Sequence, residues 1–61
     1  MDCIQSEAAR IAKTRQRLMA AGMDETTIDR NIMRLLLFNE WTKEQAQQII
    51  NKSKEIKQNG T

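Results

Sequence analysis

The sequence contains no histidine, no proline, one cysteine and two aromatic residues among its 61 positions. Without histidine an ordinary zinc site cannot be assembled, and with Cys3 alone no disulfide can form within the chain. Without proline no helix is interrupted by a residue that lacks a backbone donor. Glycine occurs only at positions 22 and 60. This composition favours helices, and it rules out both disulfides within the chain and a histidine-bound metal as sources of stability.

Features typical of an active site are also scarce. There is no glycine-rich phosphate loop, no cluster of metal ligands, and no nucleophile with a base at a recognisable spacing. We also expect so small a domain to lack room for a concave pocket of ~300 Å³. The sequence therefore predicts a protein that is not an enzyme and that uses no cofactor and no metal.

Length and hydropathy limit the class of protein further. A 61-residue chain forms one domain at most and buries only ~60% of its unfolded surface, so its stability is marginal. We find no signal peptide and no run of ~18 apolar residues, and a single cysteine suits a reducing compartment. The net charge of +2 is too small to indicate nucleic-acid binding by itself. We expect a cytoplasmic protein that does not enter a membrane.

Hydrophobic residues recur at helical spacing along most of the chain. They predict three amphipathic helices at about 4–21, 25–38 and 43–57, and a frayed tail at 58–61. Because the connections between the helices are short, the fold class is all-α, a compact three-helix bundle that forms a single domain over 1–61.

The predicted helix ends carry recognisable capping residues. Gly22 can adopt the left-handed conformation that ends the first helix, and Asp24 can cap the second. Thr42 and Gln45 have the spacing of a capping box at the start of the third helix.

One apolar face of each helix is predicted to form the core. These faces comprise Ile4, Ala8, Ile11, Ala12, Leu18 and Met19 on the first helix, Ile28, Ile32 and Leu35 flanked by Leu36 and Phe38 on the second, and Ala46, Ile49, Ile50, Ser53 and Ile56 on the third. Trp41 is expected to cover one end of the core, with a binding hot spot as the alternative. Arg15 lies within the apolar face of the first helix. We expect its stem to run along that face to a carboxylate, the alternative being a functional buried pair.

The second helix has apolar residues where a surface helix should be polar. Met33 and Leu37 lie ~140° to 180° from Ile28, one turn apart, with Arg30 and Arg34 beside them. One interpretation is that neighbouring helices bury the middle helix on both sides. The other is an exposed contact surface with arginine anchors, formed by these four residues of the second helix, for a protein partner or a second copy.

The segment from Arg15 to Lys54 resembles two families of small three-helix modules. It is similar to the helical repeat of RecX-type recombination regulators, with Leu18, Gly22, Met23, Asp24, Ile28, Ile32, Leu35, Thr42 and Ala46 near the repeat's roles. It also resembles the ubiquitin-associated-like fold, which has a similar glycine and methionine loop between its first two helices. Both resemblances imply a three-helix module, and the second implies partner binding through that loop and the third helix.

A shorter stretch, "GMDETTIDR", resembles the turn and recognition-helix start of a helix-turn-helix motif. The matching residues are Gly22, Met23, Thr27, Ile28 and Arg30. The resemblance implies a DNA-binding transcriptional regulator, with Glu25, Thr26, Asp29, Arg30 and Met33 facing the groove. The possible nucleic-acid contacts are Arg10, Lys13, Arg17 and Arg30, although the three on the first helix are also typical of an ordinary solvated face.

Two carboxylates on the groove-facing side would oppose phosphate binding. The first interpretation is therefore a regulatory interaction module that binds and modulates a larger protein, and DNA binding is the alternative.

Overall fold

The computed structural model describes residues 3–56, which form three helices joined by short turns. The helices are α1 (Cys3–Ala20), α2 (Glu25–Phe38) and α3 (Lys43–Glu55). All three pack against one another, and α3 contacts both of the other helices extensively. The prediction of an all-α, compact three-helix bundle is confirmed.

The helix boundaries lie within two residues of the predicted ones where both can be compared. Helix α3 ends at Glu55, and the predicted end at 57 and the frayed tail at 58–61 lie outside the described residues. No helix among residues 3–56 combines the length and the apolar character needed to cross a bilayer.

Both predicted N-terminal caps are confirmed. The Asp24 carboxylate accepts hydrogen bonds from the Thr27 backbone N–H at 3.1 Å and from its hydroxyl at 2.8 Å. The hydroxyl hydrogen bond is the main reason why the pKa of Asp24 lies below its ordinary value. At the start of α3, the Thr42 hydroxyl accepts from the Gln45 N–H at 3.0 Å, and the Gln45 side chain accepts from the Thr42 N–H at 3.1 Å. These bonds satisfy backbone donors that a helix leaves unpaired at its first turn.

The first turn depends on glycine, as predicted. Gly22 has a φ of +96°, in the left-handed region. Its N–H donates to the Met19 carbonyl at 3.0 Å, and the Met23 N–H donates to the Leu18 carbonyl at 3.1 Å. This is the Schellman arrangement, which satisfies the last carbonyls of α1 and turns the chain toward α2.

The end of α2 repeats this arrangement without a glycine. Glu40 has a φ of +72°. Its N–H donates to the Leu37 carbonyl at 3.0 Å, and the Trp41 N–H donates to the Leu36 carbonyl at 3.1 Å. A left-handed conformation costs a residue with a Cβ roughly 1–2 kcal/mol, so this turn carries backbone strain that the Gly22 turn avoids.

The two turns predict stability changes of opposite sign. A Cβ at Gly22 would meet no atom within 4 Å, so Gly22→Val is expected to cost about 1 kcal/mol or more through its positive φ alone. Glu40→Gly is expected to stabilise by up to about 1 kcal/mol, because glycine relieves the strain but loses more chain entropy. Urea unfolding of both variants measures these changes. If both changes had the same sign, the shared turn geometry could not be their cause.

The core is a cluster of apolar residues from all three helices, and each of them is at most 3% exposed. Its members are Ala8, Ile11, Ile28, Ile32, Leu36, Ala46, Ile49 and Ile50. The partly buried apolar residues packed around it are Ile4, Leu18, Met23, Met33, Trp41 and Ile56. Trp41 therefore contacts the core, as expected for a residue that covers one of its ends.

The predicted core face of α2 was wrong by about one position at its C-terminal end. Leu36 is 0% exposed, whereas Leu35, predicted to be buried, is 46% exposed. The buried stripe runs through Ile28, Ile32 and Leu36 at a spacing of four, and on a helix Leu35 lies roughly 60° to one side of Ile32. Phe38, predicted to flank the core, also lies outside it.

Helix α1 also has one residue placed wrongly. Met19 was predicted to lie in the core but is exposed. It lines an open cleft of about 580 Å³ between the last turns of α1, the start of α2 and the end of α3. No helix in the described part of the chain covers Met19, which is 56% exposed. The expectation that the domain has no room for a concave pocket was therefore wrong.

Candidate interaction surface

The side of α2 turned away from the bundle carries both arginines and apolar side chains. Measured from Ile32 at the centre of the buried stripe, Phe38 lies about 120° away in one direction and Leu37 about 140° away in the other. Arg30 and Arg34 lie between them, each about 160° from Ile32. We call this surface the outer face of α2, and it consists of Arg30, Met33, Arg34, Leu35, Leu37 and Phe38.

The structure places the four residues predicted to bind a protein at different depths. Arg30 and Arg34 are exposed, and Leu37 is 42% exposed. Met33 is half-buried and packs against the core, so part of its side chain stabilises the bundle. Whether another chain contacts these four residues stays a prediction.

Sequence reasoning did not identify the most exposed apolar residue of the outer face. Phe38 is 85% exposed, although aromatic rings usually lose most of their accessible surface on folding. The spacing of four between Ile28, Ile32 and Leu36 was the signal that could have placed Phe38 outside the core. It was missed because Leu35 was assigned to the buried stripe in place of Leu36.

The Schellman turn after α2 explains how Phe38 is held outside the core. Its hydrogen bonds join Glu40 to Leu37 and Trp41 to Leu36, and Trp41 then contacts the core. The chain thus returns to the core immediately after Phe38, which stays on the last turn of a capped helix. An exposed side chain on a regular helix loses less conformational entropy on binding than one on a free loop.

The carboxylates of α2 lie away from the outer face. Arg15 of α1 donates to Asp29 and, at 3.1 Å, to Glu25, and the Lys54 ammonium lies 3.0 Å from Asp29. These side chains join all three helices, and Arg15 is buried. Arg15 was expected to reach a carboxylate, and it reaches two. Its guanidinium does not extend into water, however, because its side chain is only 7% exposed.

This cluster also affects the pKa of Asp29. Burial raises this pKa, but the hydrogen bonds from Lys54 and Arg15, together with their charges, lower it by more. The net result is an Asp29 pKa below its ordinary value, so the carboxylate is ionised at neutral pH.

Within the part of the chain that the structure describes, the arginines of the outer face have no comparable partner. Neither Arg30 nor Arg34 forms an ion pair with any other residue among 3–56. Positions 30–38 include both arginines and no carboxylate. The outer face is therefore positively charged.

The possible nucleic-acid contacts lie on two helices. Arg10, Lys13 and Arg17 are exposed on α1, where Arg10 lies 3.7 Å from Glu7, and Arg30 is exposed on α2. The predicted groove-facing side was partly wrong, because Asp29 and Met33 are half-buried against the bundle. The outer face of α2 contains Arg30 and Arg34 but not Asp29, and Met33 contributes to it only the part of its side chain that the core leaves accessible.

Comparison with known proteins does not assign this chain to a family. No protein-family model, no curated protein and no solved structure matches it. The resemblances to RecX-type repeats, to the ubiquitin-associated-like fold and to helix-turn-helix proteins thus stay predictions from the quoted residues. Among residues 3–56, no three cysteine or acidic side chains are grouped so that they could hold a metal ion.

Proposed function

We propose that this chain is a small, non-catalytic interaction module of the cytoplasm that binds a larger protein through the outer face of α2 and modulates it. The observation that supports the proposal best is Phe38, which is 85% exposed on the last turn of a capped helix. Leu35 and Leu37 are exposed beside it. Exposed aromatic and aliphatic side chains close to arginine are typical of residues that contribute most to protein interfaces.

The energetic argument requires only a modest interface. Burying one exposed leucine or phenylalanine contributes roughly 1.5–3 kcal/mol, and ordering both chains opposes this gain. Phe38 and Leu37 together could support a complex that forms reversibly, which suits a modulator. In this proposal Arg30 and Arg34 set the orientation, and Met33 contributes the part of its side chain that the core leaves accessible.

A second candidate function is DNA binding. The observation that favours it is the positive charge of the outer face, where Arg30 and Arg34 have no ion-pair partner among residues 3–56. The exposed Phe38 and Leu37 favour a protein instead, since protein contacts with a DNA duplex are mostly polar and positively charged.

Site-specific photocrosslinking tests the first candidate. A photoreactive amino acid in place of Phe38 should form a covalent adduct with one protein when the chain is added to an extract of its source cells. The same amino acid in place of Lys13, which is exposed on α1, serves as the control and should not form this adduct. Excess unlabelled chain should compete, whereas excess Leu37→Gln chain should compete poorly.

Adducts of equal yield at both positions, or adducts that Leu37→Gln displaces as well as the unchanged chain, would argue against the outer face as a binding surface. Fluorescence anisotropy with a random-sequence DNA duplex tests the second candidate. Strong binding that falls steeply with salt and with Arg30→Ala would favour DNA over a protein partner.

A further inference from the structure

We infer that the partner of the outer face is a different protein with an apolar groove and a carboxylate on the groove floor, which receives Phe38 and pairs with Arg34. This inference rests on the proposed function and adds the chemistry of the partner. Three features of α2 support it: the order of side chains around the helix, the two arginines that have no ion-pair partner among residues 3–56, and the width of the apolar arc.

The order of side chains sets the pattern that a partner must match. Arg34 precedes Leu37 by three residues and Phe38 by four, so it lies one turn from both and between them around the helix. Leu35 lies on the far side of Phe38. A groove that receives this helix therefore needs two apolar walls, one for Phe38 and Leu35 and one for Leu37, with a polar floor between them.

The charge of that floor follows from the ion pairs of the bundle. The acidic residues of α2 nearest in sequence, Glu25 and Asp29, already pair with Arg15 and Lys54. Arg34 thus has no carboxylate of its own helix to pair with, and enclosing it against a neutral floor would leave its charge desolvated and uncompensated. A carboxylate on the partner provides the complementary charge, and a guanidinium binds it with two parallel hydrogen bonds.

A second copy of this chain fits the outer face less well. In a symmetric dimer the same surface meets itself, which brings Arg30 and Arg34 toward their own copies. Like charges placed together cost binding energy.

A membrane surface also fits less well, although anionic lipids attract arginine. The apolar side chains from Leu35 to Leu37 span an arc of roughly 160° around α2, with Arg34 inside it. A bilayer is flat at this scale, so inserting Phe38 and Leu37 together would press the Arg34 guanidinium into the apolar layer, which opposes insertion. A groove encloses such an arc and can place a carboxylate against Arg34.

The test uses the whole chain, and the probe is a display library in which random-sequence peptides form the walls and floor of a groove in a folded scaffold protein. Selection on the immobilised chain should enrich peptides that combine aspartate or glutamate with apolar residues. An enriched peptide, labelled and measured by fluorescence anisotropy, should bind about tenfold or more weakly to Phe38→Ser and to Arg34→Glu. Arg17→Glu is the matched control, since Arg17 is exposed on α1 and forms no ion pair among residues 3–56, and it should leave the affinity unchanged.

Selection on the double variant Arg30→Glu, Arg34→Glu provides a second arm, and it should enrich lysine and arginine in place of acidic residues. Circular dichroism of every variant should match that of the unchanged chain, because all substituted side chains are exposed.

Several results would overturn the inference. Peptides that need Phe38 but show no excess of acidic residues would remove the carboxylate floor, while the outer face would remain the binding surface. If no enriched peptide depended on Phe38 or Leu37, the proposed function would be lost as well. A dimer in sedimentation equilibrium that Phe38→Ser abolishes would identify a second copy as the partner. Binding to phosphatidylcholine vesicles containing phosphatidylserine that Phe38→Ser abolishes would identify a membrane.

Discussion

Leu36→Ala is expected to lower the free energy of unfolding by about 2–5 kcal/mol, because it removes a fully buried side chain from the centre of the core. A domain of this size has only a small surplus of stability, of roughly 0.05–0.15 kcal/mol per residue. A loss in this range would therefore unfold a large fraction of the molecules at room temperature. Urea unfolding followed by helical circular dichroism measures the change.

Leu35→Ala is the matched control for Leu36→Ala. It makes the same chemical change one position earlier on the same helix, but Leu35 is 46% exposed. Its cost should be well below that of Leu36→Ala, since only the buried part of the side chain contributes and little cavity is left. Equal losses for the two variants, or a larger loss for Leu35→Ala, would mean that α2 is rotated so that Leu35 faces the core at least as much as Leu36 does.

The fold could be predicted because local signals agreed with one another. The caps at Asp24 and Thr42 and the glycine at position 22 marked helix ends that the structure confirms. No comparable signal marked the end of α2, where Glu40 takes the left-handed conformation usually occupied by glycine. That turn depends on tertiary packing, including the contact of Trp41 with the core, which a sequence pattern does not reveal.

The outer face was harder to predict than the fold because a helical wheel gives directions but not the neighbours of a helix. Met33 and Leu37 were correctly placed away from Ile28, yet Met33 packs against the core while Leu37 is largely outside it. The wheel places Met33 about 100° and Leu37 about 140° from Ile32, and it does not show how far the neighbouring helices extend around α2. Phe38 was missed for a different reason, because assigning Leu35 to the buried stripe in place of Leu36 put Phe38 beside that stripe.

Arg15 is a charged residue on the buried face of α1. Arg15→Ala is expected to cost about 1–3 kcal/mol, less than the 3–5 kcal/mol typical of breaking a fully buried pair. The smaller value follows from the partners, because the Asp29 side chain is 30% exposed and that of Glu25 is 59% exposed, so water can solvate both after the change. Lys54 also stays 3.0 Å from Asp29.

Arg15→Met separates the two contributions of Arg15, because it keeps an apolar stem in the same space and removes only the charge. We expect it to cost less than Arg15→Ala, since apolar replacements of buried ion pairs are often close to neutral. If Arg15→Met costs as much as Arg15→Ala, the ion pairs matter more than the packing.

The pH dependence of stability tests the same cluster independently. The pKa of Asp29 is lower in the folded protein than its ordinary value of 3.8, so its stabilising effect is complete above that value and disappears as the pH falls through the folded pKa. Stability should therefore decline as the pH falls below the unfolded pKa of Asp29, and this decline should be shallower in Arg15→Met, in which Asp29 keeps only Lys54. Urea unfolding at several pH values measures the slope. Identical slopes for the two proteins would show that the Arg15 guanidinium does not stabilise the ionised Asp29, which would leave its 3.1 Å ion pair with Glu25 and its packing as the contributions of Arg15.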